Sequence, residues 1–103
     1  MPIQRITSFK VHDEKDIAGI LEQYKVLAAK NEKDGKPYIL EIKARQTISD
    51  ARNQGYNLVA MTKFKTLQDM KYYDVECEAH QALKKYNHGK ISIPPLTMYM
   101  LDE

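Results

Sequence analysis

The strongest periodic pattern in the chain begins just after Asp16. Apolar side chains recur there at intervals of three and four residues, at Ile17, Ile20, Leu21, Tyr24, Leu27 and Ala28. This spacing places them on one face of an α-helix. A turn built from Asp34-Gly35 and then Pro37 follows, and proline cannot continue a helix. The pattern therefore predicts an amphipathic helix over about residues 17–28.

Four other segments have the alternation or the β-branched and aromatic composition of strands. They cover residues 3–11, 38–44, 56–64 and 96–100. In the third of these, Leu58, Ala60, Thr62 and Phe64 point to one face, whereas Val59 and Met61 point to the other. Both faces of this strand therefore carry apolar side chains. The polar segment 45–54 is predicted to be an exposed loop or a short helix.

A second helical region spans residues 66–86. Thr66, with Asp69 three residues later, is typical of a helix N-terminus. Ala79, Leu83 and Tyr86 repeat at helical spacing, but residues 73–75 fit neither face, so we expect a kink or break there. Gly89 suits the end of the helix. His80 is predicted to lie on or beside the buried face.

The predicted order of elements is β-α-β-β-α-β. This order gives a ferredoxin-like α+β fold, with both helices on one face of a four-stranded antiparallel sheet. The opposite face would expose an apolar patch of roughly several hundred Å², more than monomers usually tolerate. We therefore expect a homodimer in which two sheets pair face to face.

Composition limits the possible settings and partners. With 103 residues, 43% hydrophobic and 29% charged, the chain is predicted to form one domain over residues 1–103. No apolar run approaches the ~20 residues of a membrane span. The single cysteine, Cys77, is expected to be a buried thiol and cannot form an internal disulfide. The lack of disulfides, together with the lack of a secretory signal, favours a reducing, cytoplasmic location.

Several classes of partner are disfavoured. A net charge of +2 gives no reason to expect nucleic acid, and NLVAMTKF lacks the paired aromatic residues of RNA-recognition modules. His12, His80 and His88 lack partners at metal-ligand spacing, so no metal site is predicted. No cofactor is expected.

The segment FKTLQDMKYYDVECEAHQAL, residues 64–83, resembles the stress-responsive A/B barrel domain, a family of dimeric α+β barrels. In that family a strand-ending Phe is followed by a Tyr and then by a helical Ala-His pair, often written His-Pro-x-His. Phe64, Tyr73, Ala79 and His80 take these places. Phe9-Lys10 at the end of the first strand, Gly55-Tyr56 and the total length also agree. The resemblance implies a dimeric barrel, and similar proteins include plant stress proteins, a plant polyketide cyclase and a hydroxynitrile lyase.

The chain also departs from that family. Arg5 stands where the cyclase-type members have a first-strand histidine, and a third-strand histidine is missing near Leu58. Cys77 and Glu78 replace the first His and the Pro of His-Pro-x-His. One extra residue separates Tyr73 from His80, so Tyr72 or Asp74 could take the place of Tyr73.

His80 and Tyr73 are the candidate catalytic residues. An imidazole can move a proton between an acidic carbon and an oxygen, and a tyrosine hydroxyl can stabilise the oxyanion formed. Alternatively, His80 bonds a backbone carbonyl and only fixes the helix against the sheet. The residues predicted to bind ligand are Arg5, Tyr72, Leu58, Tyr24 and Met98.

Two functions remain open at this point. One is a non-catalytic stress-responsive protein that binds a small hydrophobic or aromatic ligand in an apolar cleft. The other is a cofactor-free polyketide cyclase or lyase that uses His80 and Tyr73. The missing family histidines favour the first function, whereas the retained Tyr73 and His80 favour the second. Arg5 could instead pair with a surface carboxylate, and the tyrosines could serve only as core or interface residues.

Overall fold

The computed structural model describes residues 1–103. Its elements are β1 (Ile3–Phe9), α1 (Ile17–Lys30), β2 (Ile39–Gln46), β3 (Leu58–Phe64), α2 (Leu67–Val75), α3 (Glu78–Asn87) and β4 (Leu96–Leu101). Single 3₁₀ turns occur at Glu14–Asp16 and Ala51–Asn53. None of the helices is both long enough and apolar enough to cross a lipid bilayer.

The four strands form one antiparallel sheet in the order β2-β3-β1-β4. The predicted ferredoxin-like α+β fold is therefore confirmed. Several boundaries differ from prediction by one or two residues, and two of them have a clear cause in strand pairing. β1 ends at Phe9, and Val11 makes only an isolated bridge with Ile91. β2 runs on to Gln46 because its pairing with β3 continues through Gln46 opposite Leu58.

The core lies between the helices and one face of the sheet, here called the inner face. Side chains alternate along β1 and β3, so that Ile3, Phe9, Leu58 and Phe64 are buried there. Ile20 and Leu27 of α1 pack against them and are also fully buried. Burying each such side chain contributes about 1.5–3 kcal/mol. This layer holds α1 and α3 over the sheet.

The other face of the sheet, here called the outer face, has no helix over it. Ile6 of β1 lies opposite Met61 of β3 on one side and Met98 of β4 on the other. These three side chains form an apolar row across the sheet. Met98 is 51% exposed in the single chain.

The second helical region is broken as predicted, but at residues 76 and 77 rather than at residues 73–75, which belong to α2. Thr66 caps α2 by accepting a hydrogen bond from the backbone N–H of Asp69 at 3.1 Å. α2 ends at Val75, and α3 begins at Glu78 after a two-residue break. Cys77 is completely buried at this break, as expected for a small apolar thiol.

Candidate functional site

A cavity of about 380 Å³ lies between α3 and the inner face of the sheet. Its volume is at the lower end of the range of small-molecule sites. Arg5, Thr7 and Thr62 form a polar floor on β1 and β3, and Arg5 lies directly opposite Thr62. Much of the remaining lining is apolar, including Phe9, Tyr24, Ala60, Leu83, Ile91, Ile93 and Pro95. The cavity therefore combines an apolar wall with a few polar groups.

The break between α2 and α3 positions His80. In a continuous helix the backbone N–H of Cys77 would bond the carbonyl of Tyr73. Here the Cys77 N–H bonds the carbonyl of Tyr72 instead, at 2.9 Å. The freed carbonyl of Tyr73 accepts a hydrogen bond from Nδ1 of His80 at 2.7 Å. The next carbonyl, that of Asp74, accepts hydrogen bonds from the side chains of Gln81 and Lys84.

The bond to Tyr73 determines which ring nitrogen of His80 carries the proton. A backbone carbonyl can only accept a hydrogen bond, so Nδ1 must be the protonated nitrogen. Nε2 then bears a lone pair. Nε2 makes no hydrogen bond to protein. The only fully buried side-chain polar atoms without a partner are the Tyr38 hydroxyl and Asn87 Oδ1, so Nε2 keeps some accessible surface. His80 lines the cavity, so Nε2 presents a proton acceptor to it.

Burial keeps His80 neutral. The side chain is only 5% exposed, and desolvation lowers its pKa to about 4. The bond to the Tyr73 carbonyl opposes this shift in pKa, whereas the positive charges of Lys84 and Arg5 add to it. Near neutral pH the imidazole is therefore an uncharged base.

Tyr73 lies against His80 with the two rings stacked, their centroids 3.5 Å apart and their planes 10° apart. The guanidinium carbon of Arg5 lies 5.3 Å from the centre of the Tyr73 ring. The Tyr73 hydroxyl makes no hydrogen bond to protein and is not fully buried. Burial raises its pKa above the ordinary value, so it remains a proton donor. It can therefore hydrogen-bond an oxyanion that forms in the cavity.

Arg5 combines two of the roles considered from sequence. Its Nη1 contacts both carboxylate oxygens of Asp74 at 2.8 Å, which is the expected carboxylate pairing. Arg5 nevertheless lines the cavity and is 9% exposed. The ion pair fixes the guanidinium beside Tyr73 and leaves its Nη2 without a protein partner.

The structure brings together four of the seven residues singled out from sequence: His80, Tyr73, Arg5 and Tyr24 all line the cavity. Of the two adjacent tyrosines, Tyr73 rather than Tyr72 faces it. The Tyr24 hydroxyl, like that of Tyr73, makes no hydrogen bond to protein and is not fully buried. Burial also raises the pKa of Tyr24.

The other three residues predicted to bind ligand lie away from the cavity. The Tyr72 hydroxyl donates to the carbonyl of Glu32, and its ring packs edge-on against Tyr38, because Tyr72 lies one helical step round from Tyr73. Leu58 is completely buried in the core. Met98 points to the outer face, opposite Ile6. Tyr72, Leu58 and Met98 are therefore not among the residues that line this cavity.

Sequence reasoning did not identify Asn87, Thr7 or Thr62 as cavity residues. Asn87 follows His80 by seven positions, which places both on one face of α3. This spacing in the sequence could have identified Asn87 as a cavity residue once His80 was placed there. Thr62 was assigned only to the inner face of its strand. In the structure, no group of three or more His, Cys, Asp or Glu side chains is arranged to hold a metal ion.

The low pKa of His80 predicts a pH dependence of stability. Between pH 6.5 and about 4 the unfolded chain protonates this residue, but the folded chain does not. The free energy of unfolding should therefore fall as the pH is lowered through this window, by up to about 3 kcal/mol from this residue. Thermal melts at pH 6.5 and 4.5 should show a smaller change for His80→Asn than for the wild type. His88→Gln, at an exposed position, is the control and should keep the wild-type change. Equal changes in wild type and His80→Asn would contradict this assignment.

Comparison with known proteins identifies the family. The family model for the stress responsive A/B barrel domain matches residues 3–91. A fusaristatin A biosynthesis cluster protein from Gibberella zeae is 41% identical over 91 residues, which is 88% of this chain and 65% of that protein. The chain thus spans just under two thirds of the curated relative that it matches.

Two solved structures illustrate the shared fold. A dimeric ferredoxin-like protein from Bacteroides fragilis has a TM-score of 0.76 and 18% identity, covering 96% of this chain and 94% of that one. The hydroxynitrile lyase of Passiflora edulis has a TM-score of 0.70 and 16% identity, covering 99% and 95%. Since the family model covers most of the sequence, the chain belongs to the stress-responsive A/B barrel domain family.

Proposed function

We propose that this protein is a cofactor-free acid–base enzyme, a cyclase or lyase that acts on a small, largely apolar ligand. The observation that carries this proposal is the state of His80. Its Nδ1 is fixed by the Tyr73 carbonyl, while its unprotonated Nε2 has no protein partner and is not fully buried, in a residue that lines the cavity. A histidine with both ring nitrogens bonded to protein could not act as a base, whereas His80 has only Nδ1 bonded.

The chemistry follows from the groups around that nitrogen. Nε2 of His80 removes a proton from a carbon next to a carbonyl group, and the electron pair moves onto the carbonyl oxygen. The hydroxyl of Tyr73 and the charge of Arg5 stabilise that oxyanion. The enolate then attacks a second carbonyl of the same ligand, and the imidazolium returns the proton to the new alkoxide. This sequence is an intramolecular aldol closure, as in a polyketide cyclase.

The same groups could catalyse the reverse kind of step. In a lyase reaction Nε2 takes the proton of an alcohol, the adjacent carbon–carbon bond breaks to give a carbonyl product, and the imidazolium returns the proton to the carbanion before it leaves. Neither reaction needs a redox partner or a metal. The gene cluster named for the Gibberella zeae relative and the lyase activity of the Passiflora edulis neighbour support a place in small-molecule metabolism.

A second candidate function is binding of the ligand without catalysis. The pKa of His80 near 4 favours it, because a base so weak removes protons from carbon less readily than one whose pKa lies near 7. The pairing of Arg5 with Asp74 also favours it, since the carboxylate offsets part of the positive charge. This alternative uses the same cavity.

We further propose that the active form is a homodimer formed through the outer faces of two sheets. The apolar row of Ile6, Met61 and Met98 supports this, because one chain leaves it uncovered. The Bacteroides fragilis neighbour is described as dimeric. The cytoplasmic location stays a prediction.

The enzyme proposal can be tested with 5-nitrobenzisoxazole, a small aromatic carbon acid. A base that removes its C3 proton breaks the ring N–O bond and releases a coloured cyanophenolate, so no second reactant is needed. We expect saturable release by the wild type, with an acid limb near pH 4 rather than 6.5. A cleavage rate no higher than that in buffer without protein, together with retained binding of the probe, would favour the binding function instead.

A further inference from the structure

Asn87 is the one cavity residue with a fully buried side-chain polar atom that has no hydrogen-bond partner. The residue is 3% exposed, and its Oδ1 is fully buried without a hydrogen bond. Its Nδ2 also makes no hydrogen bond to protein, but this atom is not fully buried, and the residue lines the cavity. Buried polar groups in native proteins are rarely left without a partner, because the unmade hydrogen bond is costly. The amide therefore needs an explanation.

A role in ending the helix does not explain it. The residue after Asn87, His88, takes the capping position of α3, and its backbone N–H bonds the carbonyl of Lys85. The backbone carbonyl of Asn87 accepts from Lys90 at 2.9 Å, so the main chain is satisfied without the side chain. The amide itself contributes no bond to the turn that follows.

The position of Asn87 relative to His80 suggests what it serves. The two residues are seven apart on α3, about 10 Å along the helix axis, and both line the cavity. Leu83 lies between them on the same face. Of the residues that follow Asn87, Gly89, Ile91 and Ile93 line the cavity without a polar side chain, and His88 lines it without a hydrogen bond to Asn87.

We propose that Asn87 determines ligand specificity by donating a hydrogen bond from Nδ2 to an oxygen atom at the end of the ligand remote from His80. Nδ2 is the amide atom that is not fully buried, and a hydroxyl or carbonyl oxygen can accept its hydrogen bond. An alkyl or unsubstituted aryl end leaves Nδ2 unpaired. The ligand is thus elongated, with a carbonyl-bearing carbon acid near His80 and a hydrogen-bond-accepting oxygen near Asn87. This inference rests on the proposed function only in requiring that the cavity bind a ligand.

The test compares two probes that differ by one group, 6-hydroxy-2-acetonaphthone and 2-acetonaphthone. Dissociation constants for both are measured by fluorescence titration with the wild type, Asn87→Leu and Lys85→Leu. Lys85 is an exposed α3 residue outside the cavity lining, so its variant is the control. The wild type and the control should bind the hydroxylated probe roughly 3- to 10-fold more tightly than the plain one. Asn87→Leu should lose or reverse this preference.

A second measurement separates ligand recognition from a structural role. Because Asn87→Leu removes an unpaired buried amide, its melting temperature without ligand should equal or exceed that of the wild type. A clear fall in melting temperature would overturn the assignment, since the amide would then be supporting the fold. An unchanged preference for the hydroxyl in Asn87→Leu would overturn it as well, and would leave the enzyme proposal standing. Failure of the wild type to bind either probe would overturn both proposals.

Discussion

His80→Asn should lower the rate of 5-nitrobenzisoxazole cleavage by about 10²–10⁴-fold while the protein still folds and assembles normally. Asparagine is the informative replacement. Its side-chain NH₂ can take the place of the imidazole Nδ1 and donate to the Tyr73 carbonyl, so the bond seen at 2.7 Å is kept. The proton acceptor at the Nε2 position is lost. The variant therefore removes the base without orphaning a buried carbonyl.

His80→Ala is the matched comparison, because it removes both the base and the donor to Tyr73. It should lose activity to the same extent as His80→Asn and should also unfold more easily, by about 1–3 kcal/mol. Tyr73→Phe keeps the ring stack on His80 and removes only the hydroxyl, so its rate should fall less than that of His80→Asn. If His80→Asn cleaved the probe at the wild-type rate, His80 would not be the base.

The second large effect is expected at the outer face, where Ile6→Glu should convert a dimer into monomers at micromolar concentration. Ile6 lies in the middle of the apolar row, between Met61 and Met98. Two copies of the glutamate would meet in the proposed interface without a compensating charge. An uncompensated buried charge costs about 3–5 kcal/mol, which corresponds to a dimer weakened by at least roughly 10²-fold. Sedimentation velocity over a concentration series measures this change.

Val75→Glu is the control for the dimer experiment. Val75 is 74% exposed at the end of α2, on the opposite side of the sheet from the outer face. The same change in charge and polarity there should leave the sedimentation coefficient unchanged. Circular dichroism should show native secondary structure in both variants. A wild-type chain that sediments as a monomer would refute the proposed dimer directly.

Much of the fold could be predicted because its signals are local. The apolar positions on one face of α1 and the alternation of side chains in β3 both reflect burial of one face of the element. The structure buries Ile20, Leu27, Leu58 and Phe64 accordingly. The cap at Thr66 was visible because it needs only a side-chain acceptor at a helix start. Boundaries such as the end of β2 depended on pairing with β3, which is a contact distant in sequence.

The site was predictable only in part, because it depends on how two helices meet. The sequence predicted the break at residues 73–75, whereas the structure has it at residues 76 and 77, and this position decides that Tyr73 rather than Tyr72 faces His80. The hydrogen bond between His80 and the Tyr73 carbonyl exists only because the break frees that carbonyl. The unpaired state of Asn87 was not predicted, because a sequence pattern cannot reveal that a hydrogen-bond partner is missing.

The state of the His80 imidazole is best tested by nitrogen-15 NMR of the side chain between pH 3 and 8. We expect the neutral form with the proton on Nδ1 to persist from pH 8 down to about pH 4, where the ring should become protonated. His80→Asn identifies the signals by their loss. A proton on Nε2 at neutral pH, or titration near pH 6.5, would contradict the assignment of His80 as an uncharged base that faces the cavity.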